Sequence, residues 1–215
     1  LQQSETYLSW NQYFDNQSQL ITLGYSTQFK QGWIMALTIP YQQISNIPQT
    51  INNNGQAQVI GSYNHSKTSQ IASLSYTVNN YLTIGANLIH FSESLFDQTA
   101  SFWDIDLGVI IKKQKLTMGA GLQNMFQGCK TWSTNLTEIQ HRQLNVGLKY
   151  QLNRLKMMID ISSKKYQETK TNIGLTYSLS DHLQLSSGMN HLNQISMGSS
   201  LSFQKLAIHY TYLHD

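Results

Sequence analysis

The sequence predicts an all-β protein, an antiparallel transmembrane β-barrel of about 14 strands. Three observations predict it. Apolar and polar residues alternate with period 2 along nearly the whole chain. The polar face of that alternation carries Gly, Ser, Thr, Asn and Gln rather than charge. Connections alternate in length, placing short turns on one rim and longer loops on the other, as outer-membrane barrels do.

The strands are read in chain order. A weak candidate at Tyr7-Trp10 precedes Leu20 to Phe29, where Ile21, Leu23, Tyr25 and Phe29 oppose Thr22, Gly24, Ser26 and Gln28. After Lys30-Gln31-Gly32, a hairpin connection, Trp33, Met35, Leu37 and Ile39 repeat the pattern. Pro40 precedes and Pro48 lies within a long loop expected over Tyr41-Gly55, followed by weak strands at Ala57-Tyr63 and Ala72-Val78. Leu82, Ile84, Ala86 and Leu88 define the next strand, and Trp103, Ile105, Leu107, Val109 and Ile111 the one after. Leu116 to Leu122, Leu144 to Tyr150, Leu155 to Ile161 and Ile173 to Tyr177 continue the alternation. So do Leu183-Leu185, Ile195 to Phe203 and Leu206 to Tyr212. Tight turns are expected at Lys112-Gln114, Asn153, Ser178-Asp181 and Gln204-Lys205, and long loops at Ser92-Gln98, Phe126-Gln140 and Ser163-Lys170.

Length and composition agree with one wet-lumened barrel. At 215 residues the chain reads as a single domain, 1–215. Charged residues make up only 12%, about half the share of an ordinary soluble domain; Asn and Gln supply about a fifth of the chain instead. A soluble β-sandwich shares the period but would solvate its polar face with Lys, Glu, Asp and Arg. Net charge is +3, with lysines and arginines scattered, so the basic face that a nucleic-acid partner requires is absent. No stretch reaches the ~20 apolar residues of a membrane helix. The first residues show neither the basic nor the apolar part of a secretory signal. A single cysteine, Cys129, excludes an internal disulfide.

The candidate site residues are structural rather than catalytic. Asp104 and Asp106 share one strand face about 7 Å apart, and Lys149, Lys156, Asp160 and His209 fall on the same polar phase of their strands. Together they are expected to form a lumenal ion-pair and hydrogen-bond network, because buried charges must be paired. The seven histidines show no metal-binding spacing, no GxSxG elbow is present, and neither a metal, a cofactor nor a catalytic residue is expected. Trp33, Trp103, Tyr150, Tyr177, Tyr210 and Tyr212 are expected to form aromatic girdles at the bilayer interfaces.

Three stretches carry a family resemblance. "DLGVIIKKQKLTMGAGLQNM" (Asp106-Met125), "LNVGLKYQLNRLKMMIDIS" (Leu144-Ser162) and "ISMGSSLSFQKLAIHYTY" (Ile195-Tyr212) resemble hairpins of the PorV-type barrels of the type IX secretion system and their FadL-like superfamily relatives. The resemblance implies a bacterial outer-membrane location and contact with outer-membrane lipid. It also implies an N-terminal plug with an NPA-like element and a final closing strand, both expected to lie outside residues 1–215. At the DYAY-like position His209 replaces the acid. Two roles follow from the resemblance: a non-enzymatic protein-binding or anchoring component of a secretion or surface assembly, with other protein subunits as partners, or a FadL-like channel for hydrophobic small molecules. The first is the leading expectation, because the predicted polar inward face offers no continuous apolar lining. The soluble sandwich remains a third reading.

Overall fold

The computed structural model describes residues 4–13, 17–53, 55–203 and 206–214. Its described residues form fifteen strands and no helix: β1 (Ser4–Tyr13), β2 (Ser18–Lys30), β3 (Trp33–Asn53), β4 (Gln56–Thr77), β5 (Leu82–Leu95), β6 (Gln98–Lys113), β7 (Leu116–Gln123), β8 (Cys129–Trp132), β9 (Thr137–Ile139), β10 (Gln143–Leu152), β11 (Leu155–Lys164), β12 (Lys170–Ser178), β13 (Leu183–Met189), β14 (Ile195–Phe203) and β15 (Leu206–His214). Thirteen of them follow one path of sequential neighbours, from β1 to β7 and then β10 to β15, while β8 and β9 form a hairpin beside it. Neighbours β1–β2, β2–β3, β6–β7, β7–β10 and β10–β11 pair antiparallel.

Period-2 alternation fixes which face each residue takes, and the exposure of those faces is inverted relative to a soluble protein. Trp103 is 60% exposed, Leu107 42% and Ile173 46%, and the alternate positions, among them Gly119, Gly147 and Gly174, are more covered. Among the described residues, Ala100 and Trp132 are the only buried hydrophobic side chains, whereas Ser18, Glu93, Asp104, Asp106 and Lys130 are buried and polar. A sandwich would cover its apolar faces against each other. Here they face outward, and the covered side is the polar one.

Two compact units make up the chain. Unit 1 comprises Leu1–Tyr76, Gly85–Asp106 and Asn124–His141; unit 2 comprises Thr77–Ile84, Leu107–Gln123 and Arg142–Asp215. In unit 1, the expected loop over Tyr41-Gly55 is strand as far as Asn53: β3 and β4 run for 21 and 22 residues, so the two weak strands at Ala57-Tyr63 and Ala72-Val78 belong to one. Pro40 and Pro48 sit inside β3 at places that tolerate a missing N–H. The β3–β4 ladder skips Ile39 and Pro40, and Pro48 lies between two register shifts, beyond Ile44 where pairing with β2 ends. Likewise, the expected loop at Ser92-Gln98 is mostly strand with a two-residue turn, and that at Phe126-Gln140 contains β8 and β9.

Unit 2 is a set of short meanders with tight turns after Lys113, Leu152 and Ser178. Gln114 and Asn153 take the left-handed backbone (φ 50° and 52°) that closes two of them. The turn expected at Gln204-Lys205 lies outside the described residues. Gly147 shows why the polar face uses glycine: a Cβ there would stand 2.5 Å from Asp160 Oδ1, its register partner on β11.

Candidate functional site

The buried charges of unit 1 assemble beneath the β8–β9 hairpin. Glu93 on β5 continues the phase of Thr83, Gly85 and Asn87, which places it on the covered face, 6% exposed. His65 and Lys67 reach it from β4, with His65 Nε2 2.6 Å and Lys67 Nζ 3.6 Å from Oε1. From the hairpin, Lys130 Nζ lies 3.0 Å from Glu93 Oε2 and 2.6 Å from Glu138 Oε2. Trp132 Nε1 donates to Glu138 Oε1 at 2.8 Å, and the Lys130 ammonium sits 4.8 Å from the Trp132 ring centre. Burial alone would lower the Lys130 pKa; Glu138 and Glu93 outweigh it and hold Lys130 above the usual lysine range. Hydrogen bonds from Lys130 and Trp132 hold the Glu138 carboxyl below the usual range. Every charge in the cluster has a partner, as burial requires.

The segment leading into the hairpin is pinned by the two aspartates of β6. Asp104, 2% exposed, accepts the backbone N–H of Phe126 (3.1 Å) on Oδ1 and of Gly128 (2.9 Å) on Oδ2. Asp106 accepts the Asn124 N–H at 3.0 Å, and Asn124 Nδ2 donates to the His141 carbonyl at 3.2 Å. The chain thereby satisfies amides that no strand pairs, with Asn124 and Gln127 in the left-handed region. β8 then docks on β6 through Ala100–Trp132 and Ser101–Thr131.

The other expected site residues lie in unit 2. Lys149 and Asp160 sit on the polar face one row apart, since Gly147, not Lys149, is the register partner of Asp160; Lys156 pairs with Gln151. His209 Nδ1 is 2.7 Å from Ser200 Oγ. Among the described residues, the ion pairs gather on Glu93 and Glu138, while Asp104 and Asp106 accept backbone N–H groups. The aromatics take the apolar face. Trp33 stacks on Tyr76 at 4.5 Å beside the β2–β3 turn; Tyr150 and Tyr177 lie within two residues of their tight turns. Trp103 stacks on His90 at 4.5 Å, ten residues along β6 from its turn, while Tyr210 and Tyr212 are exposed on β15.

Unit 1 also holds a cleft of about 230 Å³ lined by Gln49, Tyr63, Leu95, Phe96, Asp97 and Gln98. Tyr63 and Phe96 meet edge to face in its wall at 5.6 Å. Among the described residues no group of three metal-ligating side chains converges, and Cys129 is an exposed free thiol.

No family model and no curated protein matches the chain. Solved structures do. The "TodX monoaromatic hydrocarbon channel deltaS2 mutant" is 13% identical, with 97% of this chain and 77% of that one covered at a TM-score of 0.66. The Pseudomonas putida toluene transporter TodX, 13% identical, covers 95% and 78% at 0.63. The Ralstonia pickettii toluene transporter TbuX, 10% identical, covers 90% and 65% at 0.52. These neighbours are transport proteins. Their likeness to this chain is one of fold, and it carries no link to the PorV type or to type IX secretion. Covered polar face, exposed apolar face and shared course together give the fold: an antiparallel transmembrane β-barrel of the bacterial outer-membrane kind.

Proposed function

We propose that this chain is a non-enzymatic outer-membrane channel for small hydrophobic molecules. The observation that carries the reading is the course of the sheet, which follows a hydrocarbon channel over 97% of the chain. Supporting it, the unit 1 cleft exceeds the ~150 Å³ that a dry apolar cavity needs to hold benzene, and Tyr63, Leu95 and Phe96 line it. This reverses the order of the two roles the sequence suggested. Lack of a continuous apolar lining weighs against transport, and the local cleft lined by Tyr63, Leu95 and Phe96 is the feature that supports it in spite of that.

Uptake of radiolabelled toluene into proteoliposomes tests it. Saturable entry faster than into empty vesicles, slowed several-fold by Phe96→Asp, is the expected result. Entry equal to empty vesicles overturns it. The protein-binding role keeps one specific observation: the β3–β4 ribbon carries no charge from Asn46 to Asn64 and exposes Ile51, Val59 and Ile60. Under that role, replacing these three by serine would abolish a co-purifying assembly and leave hydrocarbon uptake unchanged.

A further inference from the structure

Unit 2 carries a polar feature of a different kind at its turn end. Lys112, Thr117 and Lys149 stand in one register row across β6, β7 and β10. The neighbouring turns are tied together, the Gln151 N–H donating to the Lys115 carbonyl at 2.8 Å. Between these hairpins lies a cavity of about 450 Å³, lined by Lys112, Lys115 and Lys149 with Thr117, Gln151 and Asn153. No carboxylate lines it, and the acid of the adjacent strand, Asp160, sits one row away opposite Gly147. Among the described residues, none of the three lysines takes part in an ion pair. Three ammonium groups around one cavity repel one another, and an anion between them removes that repulsion.

We propose that this cavity binds a small, multiply charged oxyanion of the phosphate class. Its three ammonium groups supply charge, and the Thr117 hydroxyl with the Gln151 and Asn153 amides supplies neutral hydrogen bonds. Lysines act as point charges that suit a tetrahedral anion, whereas a planar carboxylate is matched best by an arginine fork; Arg154, in the same turn as Asn153, is outside the lining. Lys112, Thr117, Lys149 and Gln151 share the polar face, opposite the apolar side of Ile111, Met118 and Leu148. That orientation selects a soluble phosphate over a lipid headgroup. The site is independent of whether hydrocarbons pass through the protein.

Calorimetric titration of the full chain in neutral detergent with inorganic pyrophosphate, at about 20 mM salt where screening is weak, tests the assignment. One saturable site is expected. It should weaken about tenfold in the Lys112→Gln/Lys149→Gln double variant, as the loss of two modest charge contacts implies. Lys113→Gln removes the same charge from the opposite face of the same turn and should leave affinity unchanged; normal heat-modifiable migration confirms that each variant is folded. Three results overturn the proposal: no saturable binding by the wild-type chain, equal weakening by Lys113→Gln, or binding of phosphatidylglycerol vesicles in place of free pyrophosphate.

Discussion

The two charged regions solve opposite problems. In unit 1, Glu93, Asp104 and Asp106 are buried, and each finds ammonium, imidazole or backbone N–H donors. At the turn end of unit 2, Lys112, Lys115 and Lys149 are exposed and find no acid. A matched cluster holds the chain in place; an unmatched one is set to hold a solute. The difference teaches that net charge, +3 over the whole chain, says less than where each charge is cancelled.

Removing charge should therefore act with opposite sign in the two regions. Asp104→Ala strands the Phe126 and Gly128 amides and should cost about 2–6 kcal/mol in denaturant unfolding, at roughly 1–3 kcal/mol for each buried group left unsatisfied. Asp104→Asn, which keeps one acceptor, should cost less than Asp104→Ala. Glu93→Gln leaves Lys130 with Glu138 alone and should cost about 3 kcal/mol by the same measurement. A comparable loss on neutralising Lys149 would break the contrast. Lys149→Gln should instead raise stability by a few tenths of a kcal/mol, the scale of surface substitutions.

A pH scan sharpens the unit 1 side. Glu138 titrates below its ordinary value, so its contribution is complete above that value and is lost as pH falls through the lowered one. Lys130 titrates above its ordinary value, so its contribution is complete at neutral pH and is lost only in strong alkali. Protease cleavage within β8–β9 should be flat from pH 7 to about 5 and rise below about 4. A rise already complete by about pH 5 would contradict control of the hairpin by Glu138.

Most of the strand order was legible because period 2 needs nothing beyond neighbouring residues. The alternation from Trp103 to Ile111 and from Leu144 to Tyr150 gives β6 and β10 with their faces. The 41–55 stretch resisted because its prolines and runs of Asn and Gln mimic a loop; β4 pairing, not a buried face, holds it extended. Lys130 and Glu138 were hidden for a similar reason, since β8 and β9 have four and three residues, too few to display a period. Glu93 did carry a signal, its phase with Asn87 on β5. Asp104 and Asp106 read as inward-facing from their phase, but the donors that hold them include the backbone amides of Asn124, Phe126 and Gly128, which no residue type reveals.

The central claim is the inverted sheet, apolar side to lipid and polar side to water. A fluorophore on single cysteines placed along β6 in a Cys129→Ser background, reconstituted in bilayers, reads it directly. Quenching by a lipid-borne quencher at 105, 107, 109 and 111, and by an aqueous one at 108, 110 and 112, is the predicted result. Aqueous quenching at Leu107 and Val109 equal to that at Gly108 and Ile110, with no lipid-phase quenching at any of them, would contradict it.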